Sequence, residues 1–322
     1  MRAVILVGGL ATRLRPLSLR RPKALFPVAG RPIIDYLLEG LSRAGCRTAV
    51  LAVNYLADAL EECLGGERFG VELVYSREEE PLGTGGPIKL ASELVGDEDF
   101  LVLNGDILSL IDYAALMEAH RRMGGLATIV LKEVEDPSRF GVVRMKGDRI
   151  VEFVEKPRGE APSSLVNAGC YALSPEVLGL IPEGKVSLER EVFPVLAQRG
   201  ELRGYQYEGI WLDIGLPRDY LAANKLMLGS EKLSSLEPGC RVEHGARVEG
   251  SILWSGTRVG PRAIVVDSVL GKRCRVEEGA SIKGAVLGDE VVVERGVEIG
   301  VGATVYPGLR VERDVEPGQV VK

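Results

Sequence analysis

The chain of 322 residues is 46% hydrophobic and 27% charged, with 5% aromatics. It can therefore bury a core large enough for two domains, built from Val, Leu, Ile and Ala rather than from rings. A formal net charge of -6 argues against a nucleic-acid partner, because neutralising phosphates needs a basic face. No apolar run approaches the ~18 residues of a membrane span, and no signal-peptide pattern opens the chain. Five scattered cysteines without C-x-x-C spacing argue against a disulfide framework or a zinc site and fit a reducing cytoplasm.

Residues 3–7 (AVILV) read as a buried strand. Gly8 and Gly9 follow, and then six basic residues, Arg13, Arg15, Arg20, Arg21, Lys23 and Arg31, ahead of the first acidic one, Asp35. Residues 33–45 predict a helix with Ile33, Leu37, Leu38 and Leu41 on one face and Gly45 as its stop. Residues 48–53 and 71–75 predict strands, 88–95 a helix and 100–104 a further buried strand. After Asp106 the chain reads as loop and then helix. This alternation predicts βαβ units and a Rossmann-like, mainly parallel sheet, an α/β fold whose ligands sit beyond the carboxyl ends of the strands. Gly8, Gly9 and the run Asn104, Gly105, Asp106 fall at such ends.

Residues 228–239 are polar and Gly- and Ser-bearing, and read as a linker. Beyond them aliphatics recur every six residues: Leu287, Val293, Ile299, Val305 and Val311, with Leu270, Val276 and Ile282 before them, and Val242 with Val248. Glycines accompany the series. A six-residue aliphatic period with glycine marks a parallel β-helix in which each apolar residue points into a triangular coil. The frame slips once, between Ile282 and Leu287, so one irregular turn is expected there.

Strand, two glycines, then basic residues is an arrangement suited to phosphate, since glycines let backbone N–H groups approach an anion. A tight strand exit followed by a solvated basic loop satisfies the same pattern. The spacing is neither G-x-G-x-x-G nor G-x-x-x-x-G-K-[ST], so neither a dinucleotide fold nor a P-loop is indicated. Asp106 ends an apolar strand. Asp213 is flanked by apolar residues, where a carboxylate is either buried and paired or holds a metal.

The stretch GGLATRLRPLSLRRPKALFPVAGRPII resembles the signature of the sugar-1-phosphate nucleotidyltransferases, usually G-G-x-G-T-R-L-x-P-L-T-x-x-x-P-K. PLGTGGPI, VLNGD, FGVV, FVEKP, NAGCYALSP and WLDIGLPRDY agree in the right order, so the resemblance covers nearly the whole chain. SLEREVFPVLAQRGELRGY with GIWLDIG is most similar to the branch that forms GDP-mannose from GTP and mannose-1-phosphate. The resemblance implies a catalytic domain over 1–229 and a left-handed β-helix of hexapeptide repeats over 237–322. It implies transfer of a nucleotidyl group from a nucleoside triphosphate to a sugar-1-phosphate with release of pyrophosphate, a reaction that needs positioning and charge neutralisation more than covalent help. Catalytic roles fall to Arg13, Lys23, Asp106 and Asp213, with Mg²⁺ on the two aspartates. Leu6, Gly8, Gly9, Thr12, Arg13, Gly83 and Thr84 are the expected nucleotide contacts. Gly141, Glu155, Lys156 and Asn167 are those expected for the sugar phosphate. Two departures from the signature are Ser18 for Thr and Ala11 for Gly. A side chain at Ala11 calls for an ordinary negative φ.

Guanine presents N1–H and N2–H₂ as adjacent donors that one carboxylate can accept. Glu78 or Glu80 is therefore a candidate for base choice, against the alternative of a solvated acidic turn. Glucose-1-phosphate with dTTP, UTP or ATP stays open, as does a non-catalytic regulatory homologue. Acyl transfer, found on other hexapeptide coils, would need a histidine base, and the chain has only His120 and His244. A homo-oligomer, dimer or tetramer, assembled partly through the repeats is expected.

Overall fold

A computed structural model describes every residue from Met1 to Lys322. Contacts group them into two compact units, each made of two chain segments: residues 1–9 with 34–211, and residues 10–33 with 212–322.

The first unit is built on a ten-stranded sheet. In chain order its strands are β1 (Arg2–Leu6), β2 (Thr48–Val53), β3 (Glu67–Arg68), β4 (Val71–Arg77), β5 (Phe100–Asn104), β6 (Ala127–Glu133), β7 (Gly141–Lys146), β8 (Arg149–Glu155), β9 (Leu165–Leu173) and β10 (Leu202–Gln206). They lie side by side as 7-8-10-6-9-5-1-2-4-3. Strands β5, β1, β2 and β4 are parallel neighbours, with helices Ile33–Arg43, Ala57–Leu64, Gly86–Leu90 and Ser92–Val95 between them in the chain. Val4 faces Val50 on one side and Val102 on the other, and all three are fully buried. A strand that reads as an unbroken apolar run is one covered on both faces, as in parallel sheets. The helix expected over 88–95 begins earlier and is interrupted at Ala91, with Ile88, Ala91 and Val95 kept in the core.

The α/β centre is as expected, but the sheet is mainly parallel only there. β9 runs antiparallel to β5 and to β6, and β7 runs antiparallel to β8. For β7 and β8 the reason is connection length. Only Gly147 and Asp148 separate β7 from β8, and a two-residue loop can join only antiparallel neighbours.

In the second unit, residues 235–321 run through three parallel sheets of six, five and four strands. Ile252–Leu253, Arg258–Val259 and Ile264–Val266 enter one sheet each, and Val269–Leu270 returns to the first. Leu253 pairs with Leu270 and Leu270 with Leu287, a circuit of 17 residues. Inward positions therefore advance 253, 259, 265, 270, in steps of six, six and five. The single irregular turn expected between Ile282 and Leu287 is corrected: the five-residue corner recurs in each regular circuit, as at 265–270. What closes it is a residue in the left-handed region, Gly250 (φ 55), Asp267 (φ 48) and Gly284 (φ 59) in successive circuits. A buried hydroxyl follows in the first two of these circuits, and Ala285 in the third. Ser251 Oγ accepts from the Ser268 N–H at 3.1 Å, and Ser268 Oγ accepts from the Ala285 N–H at 3.2 Å. Each also donates to a backbone carbonyl, of Glu249 and Val266, so no polar group is stranded inside the corner. The column Leu253, Leu270, Leu287 and Val305 is fully buried, each side chain contributing about 1.5–3 kcal/mol. Val242 lies in the first circuit, at the end of the stack, and is 42% exposed. No helix is long and apolar enough to cross a membrane.

Candidate active site

In the first unit the expected residues gather at strand ends. Leu6 closes β1, and the Val7 N–H donates to the Ala52 carbonyl at 3.0 Å. The chain then turns at Gly8. A Cβ there would stand 3.2 Å from both Asn54 Cβ and Glu78 Oε1, whereas one at Gly9 would meet nothing within 4 Å. Gly8 is thus a close approach, and Gly9 is open backbone. Glu78 is half-buried beside it. Its Oε2 accepts the Leu82 N–H at 2.9 Å, and the Asn54 side-chain amide donates to its carbonyl at 3.0 Å. Burial pushes the Glu78 carboxyl above its ordinary value, against the Leu82 hydrogen bond that lowers it. Glu79 and Glu80 are exposed.

The Pro81-to-Ile88 loop is fixed by its glycines. Gly83 has φ 80, and a Cβ on it would overlap the Val186 carbonyl. Thr84 is committed within this packing: its hydroxyl donates to Glu189 Oε2 at 2.6 Å and accepts from the Leu188 N–H at 2.9 Å. Gly105 follows β5, and its N–H donates to the Leu6 carbonyl at 2.9 Å, which ties the Asp106 turn to the end of β1. Asp106 is half-buried.

Across β5 lies β9, whose pairing with β6 shifts register between Asn167 and Tyr171. In that bulge Asn167 accepts the Gly169 N–H at 2.9 Å and donates to the Tyr171 hydroxyl at 3.0 Å. Gly169, at φ 69, leaves room for Asn104 and Ile107, whose Nδ2 and Cδ1 would stand 2.5 and 2.6 Å from a Cβ there. At the far edge Gly141 pairs with Glu155, and a Cβ on Gly141 would stand 2.9 Å from the Glu155 carboxylate. Glu155 and Lys156 form an ion pair of 3.0 Å, the carboxylate 14% and the lysine 60% exposed. The pair leaves the ammonium at the surface.

In the second unit the basic loop folds as three short turns, Thr12–Leu14, Leu17–Leu19 and Lys23–Leu25. Thr12 and Arg13 are exposed. The Arg13 guanidinium lies over Gly215, where a Cβ would come within 3.2 Å of it. The Lys23 side chain is 7% exposed, and its ammonium stands 3.6 Å from Asp213 Oδ1, itself 23% exposed. The expectation of an ordinary φ at Ala11 is corrected: Ala11 sits at φ 44, ψ 45. Its carbonyl accepts from the Leu14 N–H at 3.0 Å and from the Ser18 hydroxyl at 2.8 Å. Those two bonds hold the conformation a glycine would adopt freely, at a cost of about 1–2 kcal/mol.

Residues 2–230 match the family model for the nucleotidyl transferase domain, and residues 228–321 match the GMPPB C-terminal domain. The chain belongs to the nucleotidyl transferase family. A protein of Drosophila pseudoobscura pseudoobscura named mannose-1-phosphate guanylyltransferase catalytic subunit beta is 45% identical over 234 residues, which are 71% of this chain and 63% of the relative, less than two thirds of its length. A mannose-1-phosphate guanyltransferase of Candida albicans is 35% identical over the full length of both chains. A solved Bacillus anthracis structure, provisionally named a glucose-1-phosphate thymidylyltransferase, superposes with a TM-score of 0.66 at 27% identity, covering 70% of this chain and 94% of that one.

Two contacts of this nucleotidyl transferase escaped the reading of its sequence: Asn54 and Gly215 stand against Gly8 and Arg13 respectively. Asn54 follows a parallel strand, so the strand-end rule that marked Asn104 could have found it. His120 has no place in this chemistry. It is 2% exposed, with its ring nitrogens at 2.8 Å from Thr128 Oγ1 and 3.2 Å from Ser174 Oγ. Burial lowers its pKa.

Proposed function

We propose that the protein transfers a guanylyl group from GTP to mannose-1-phosphate, giving GDP-mannose and pyrophosphate. The observation that carries this reading is the full-length match to a mannose-1-phosphate guanyltransferase, which spans the basic loop and the repeats together. A phosphate oxygen of the sugar-1-phosphate attacks the α-phosphorus, and the bond to the bridging oxygen of pyrophosphate breaks. Arg13, exposed and backed by the open face of Gly215, braces the β- and γ-phosphates with its planar fork, which a lysine could not do. Lys23 brings a compact charge to the α-phosphate. Leu6, Gly8, Gly9 and Thr12 present backbone and hydroxyl groups to the nucleotide, with Gly83 and Thr84 bordering the base. Glu155 and Asn167 take sugar hydroxyls, Gly141 lets backbone approach the ring, and Lys156 meets the sugar phosphate.

Mg²⁺ fits the donor set. Asp106 and Asp213 are hard carboxylate donors, and this ion takes one or two of them with phosphate oxygens and water completing its shell. Bound there, it would neutralise charge developing between the α-phosphate and the leaving pyrophosphate. We propose further that residues 1–229 and 237–322 are the functional division and that the three-sheet coil is left-handed.

Glu78 is the residue we assign to guanine. It is held in place by Leu82 and half-buried beside Gly8, whereas Glu80 is exposed. Glu78→Gln keeps the shape and removes the charge that favours two guanine donors. We expect its kcat/KM with GTP to fall about tenfold or more relative to that with dTTP. An unchanged ratio removes Glu78 from base choice, and equal use of the two nucleotides by the unaltered protein overturns the guanylyl reading. A second reading, glucose-1-phosphate with a thymidine nucleotide, rests on the Bacillus anthracis fold likeness.

A further inference from the structure

Trp254 follows Leu253, which points into the coil. By strand alternation Trp254 must point outward, yet it is fully buried. Within the second unit its cover is the basic loop and helix Pro217–Leu228. The Arg21 guanidinium stacks 4.4 Å from the indole centroid, and Phe26 meets the indole edge-on at 5.0 Å. The indole N–H donates to the Tyr220 hydroxyl at 3.1 Å, which in turn donates to the Pro27 carbonyl at 2.7 Å.

One circuit earlier, Leu236 pairs with Leu253, so Glu237 occupies the outward position next to Trp254. Arg21 reaches it with both arms, at 3.1 and 3.0 Å. The same carboxylate accepts the Ser255 N–H at 2.9 Å. Both charged side chains are nearly buried, 13% and 14% exposed. A fork of this kind sets direction as well as distance.

Lys23 lies between these anchors. Arg21 is two residues before it and Phe26 three after, and the Phe26 N–H closes the turn on the Lys23 carbonyl at 2.9 Å. Both ends of the turn that carries Lys23 thus rest on one tryptophan of the repeat region. We infer that Arg21, Glu237 and Trp254 are positioning residues for the transfer: the first circuits of the repeats hold the Lys23 turn in the geometry the α-phosphate needs. This rests on the functional reading of Lys23 given above. It also gives the repeat region a part in the chemistry, beyond assembly.

The test uses the full chain, with GTP, mannose-1-phosphate and Mg²⁺, below the melting temperature of every variant. Glu237→Gln keeps size and the acceptor for Ser255 but loses the charge that binds the fork. Arg21→Lys keeps the charge and loses the fork and the stack. Each is expected to lower kcat roughly 10- to 100-fold, as misplacement of a catalytic group by about an ångström does, with the KM for mannose-1-phosphate nearly unchanged. Lys23→Gln is expected to lower kcat by itself, and Glu237→Gln added to it is expected to lower kcat no further. Wild-type kcat in both anchor variants overturns the inference, and so does a full additional loss in the Lys23→Gln background. Wild-type kcat in Lys23→Gln alone overturns the functional reading of Lys23 and this inference with it. Should Glu237→Gln fail to fold, Arg21→Lys carries the same comparison.

Discussion

Gly105→Ala is a sharp test of how the strand ends set the site. Gly105 has no left-handed backbone to defend, so the change is steric alone. The new methyl would overlap Val7 Cγ1 and stand 3.0 Å from Ile5 Cγ2 and 3.1 Å from the Leu6 carbonyl oxygen. Carbon atoms pack at about 3.5–4.0 Å. The backbone must therefore move by at least about 0.5 Å from Ile5, and by more from Val7. Neither neighbour can give way: Ile5 is fully buried, Val7 is 8% exposed, and both are β-branched with stiff χ1. The strain falls on the Gly105-to-Leu6 hydrogen bond of 2.9 Å and on the next residue, Asp106. Overpacking of this kind costs about 1–3 kcal/mol of stability. Moving the Asp106 carboxylate by an amount approaching an ångström costs about 100-fold in kcat/KM, or about 2.7 kcal/mol of barrier. The assay is pyrophosphate release at graded Mg²⁺, with a thermal melt alongside, and half-saturation by Mg²⁺ should rise. Gly179→Ala, where a Cβ meets nothing within 4 Å, is the control for stability. A folded Gly105→Ala protein with wild-type rate and Mg²⁺ dependence would show that the packing at Gly105 does not position Asp106.

Ala11→Gly should stabilise the protein. It releases about 1–2 kcal/mol of left-handed strain and returns about 0.4–1 kcal/mol of freedom to the unfolded chain. A net gain of about 0.5–1 kcal/mol in urea unfolding is expected, and a loss would contradict the conformation described. His120 gives a pH prediction. Its pKa is lowered in the folded state, by burial first, so the unfolded chain binds the proton more readily. That contribution to stability is full above the ordinary value of 6.5 and is lost as pH falls from there through the lowered folded value. Denaturant midpoints between pH 7 and 5 should fall less steeply for His120→Gln than for the wild type, and equal slopes would rule out His120 as the source.

The parallel centre was legible because β1, β2 and β5 are short apolar runs that end at or run into Gly or Asn, and buried parallel strands must read that way. The mixed flank was not: β10 runs parallel to β6 beside antiparallel neighbours, and in β9 Cys170 is as buried as Tyr171 beside it, so no alternation reveals the partners. The six-residue period of the coil was plain. Its five-residue corner was not, because Asp267 stands where Gly250 and Gly284 stand in the neighbouring circuits and hides the recurrence. Ala11 misled for a local reason: propensity favours a negative φ, and the Leu14 and Ser18 bonds to its carbonyl override it. The Arg21–Glu237 fork spans 216 residues of sequence, and no spacing rule reaches that far. Arg21 reads only as one of the six basic residues of the opening, and Glu237 only as part of the polar stretch 228–239. What identifies them is Trp254, an outward residue that is nonetheless fully buried.

The proposed activity is guanylyl transfer from GTP to mannose-1-phosphate. Its most direct test is pyrophosphate release with Mg²⁺, crossing mannose-1-phosphate and glucose-1-phosphate with GTP, ATP, UTP, CTP and dTTP. The highest kcat/KM is expected for GTP with mannose-1-phosphate. A preference for glucose-1-phosphate with a pyrimidine nucleotide would contradict it, and absence of turnover with every pair would contradict catalysis itself.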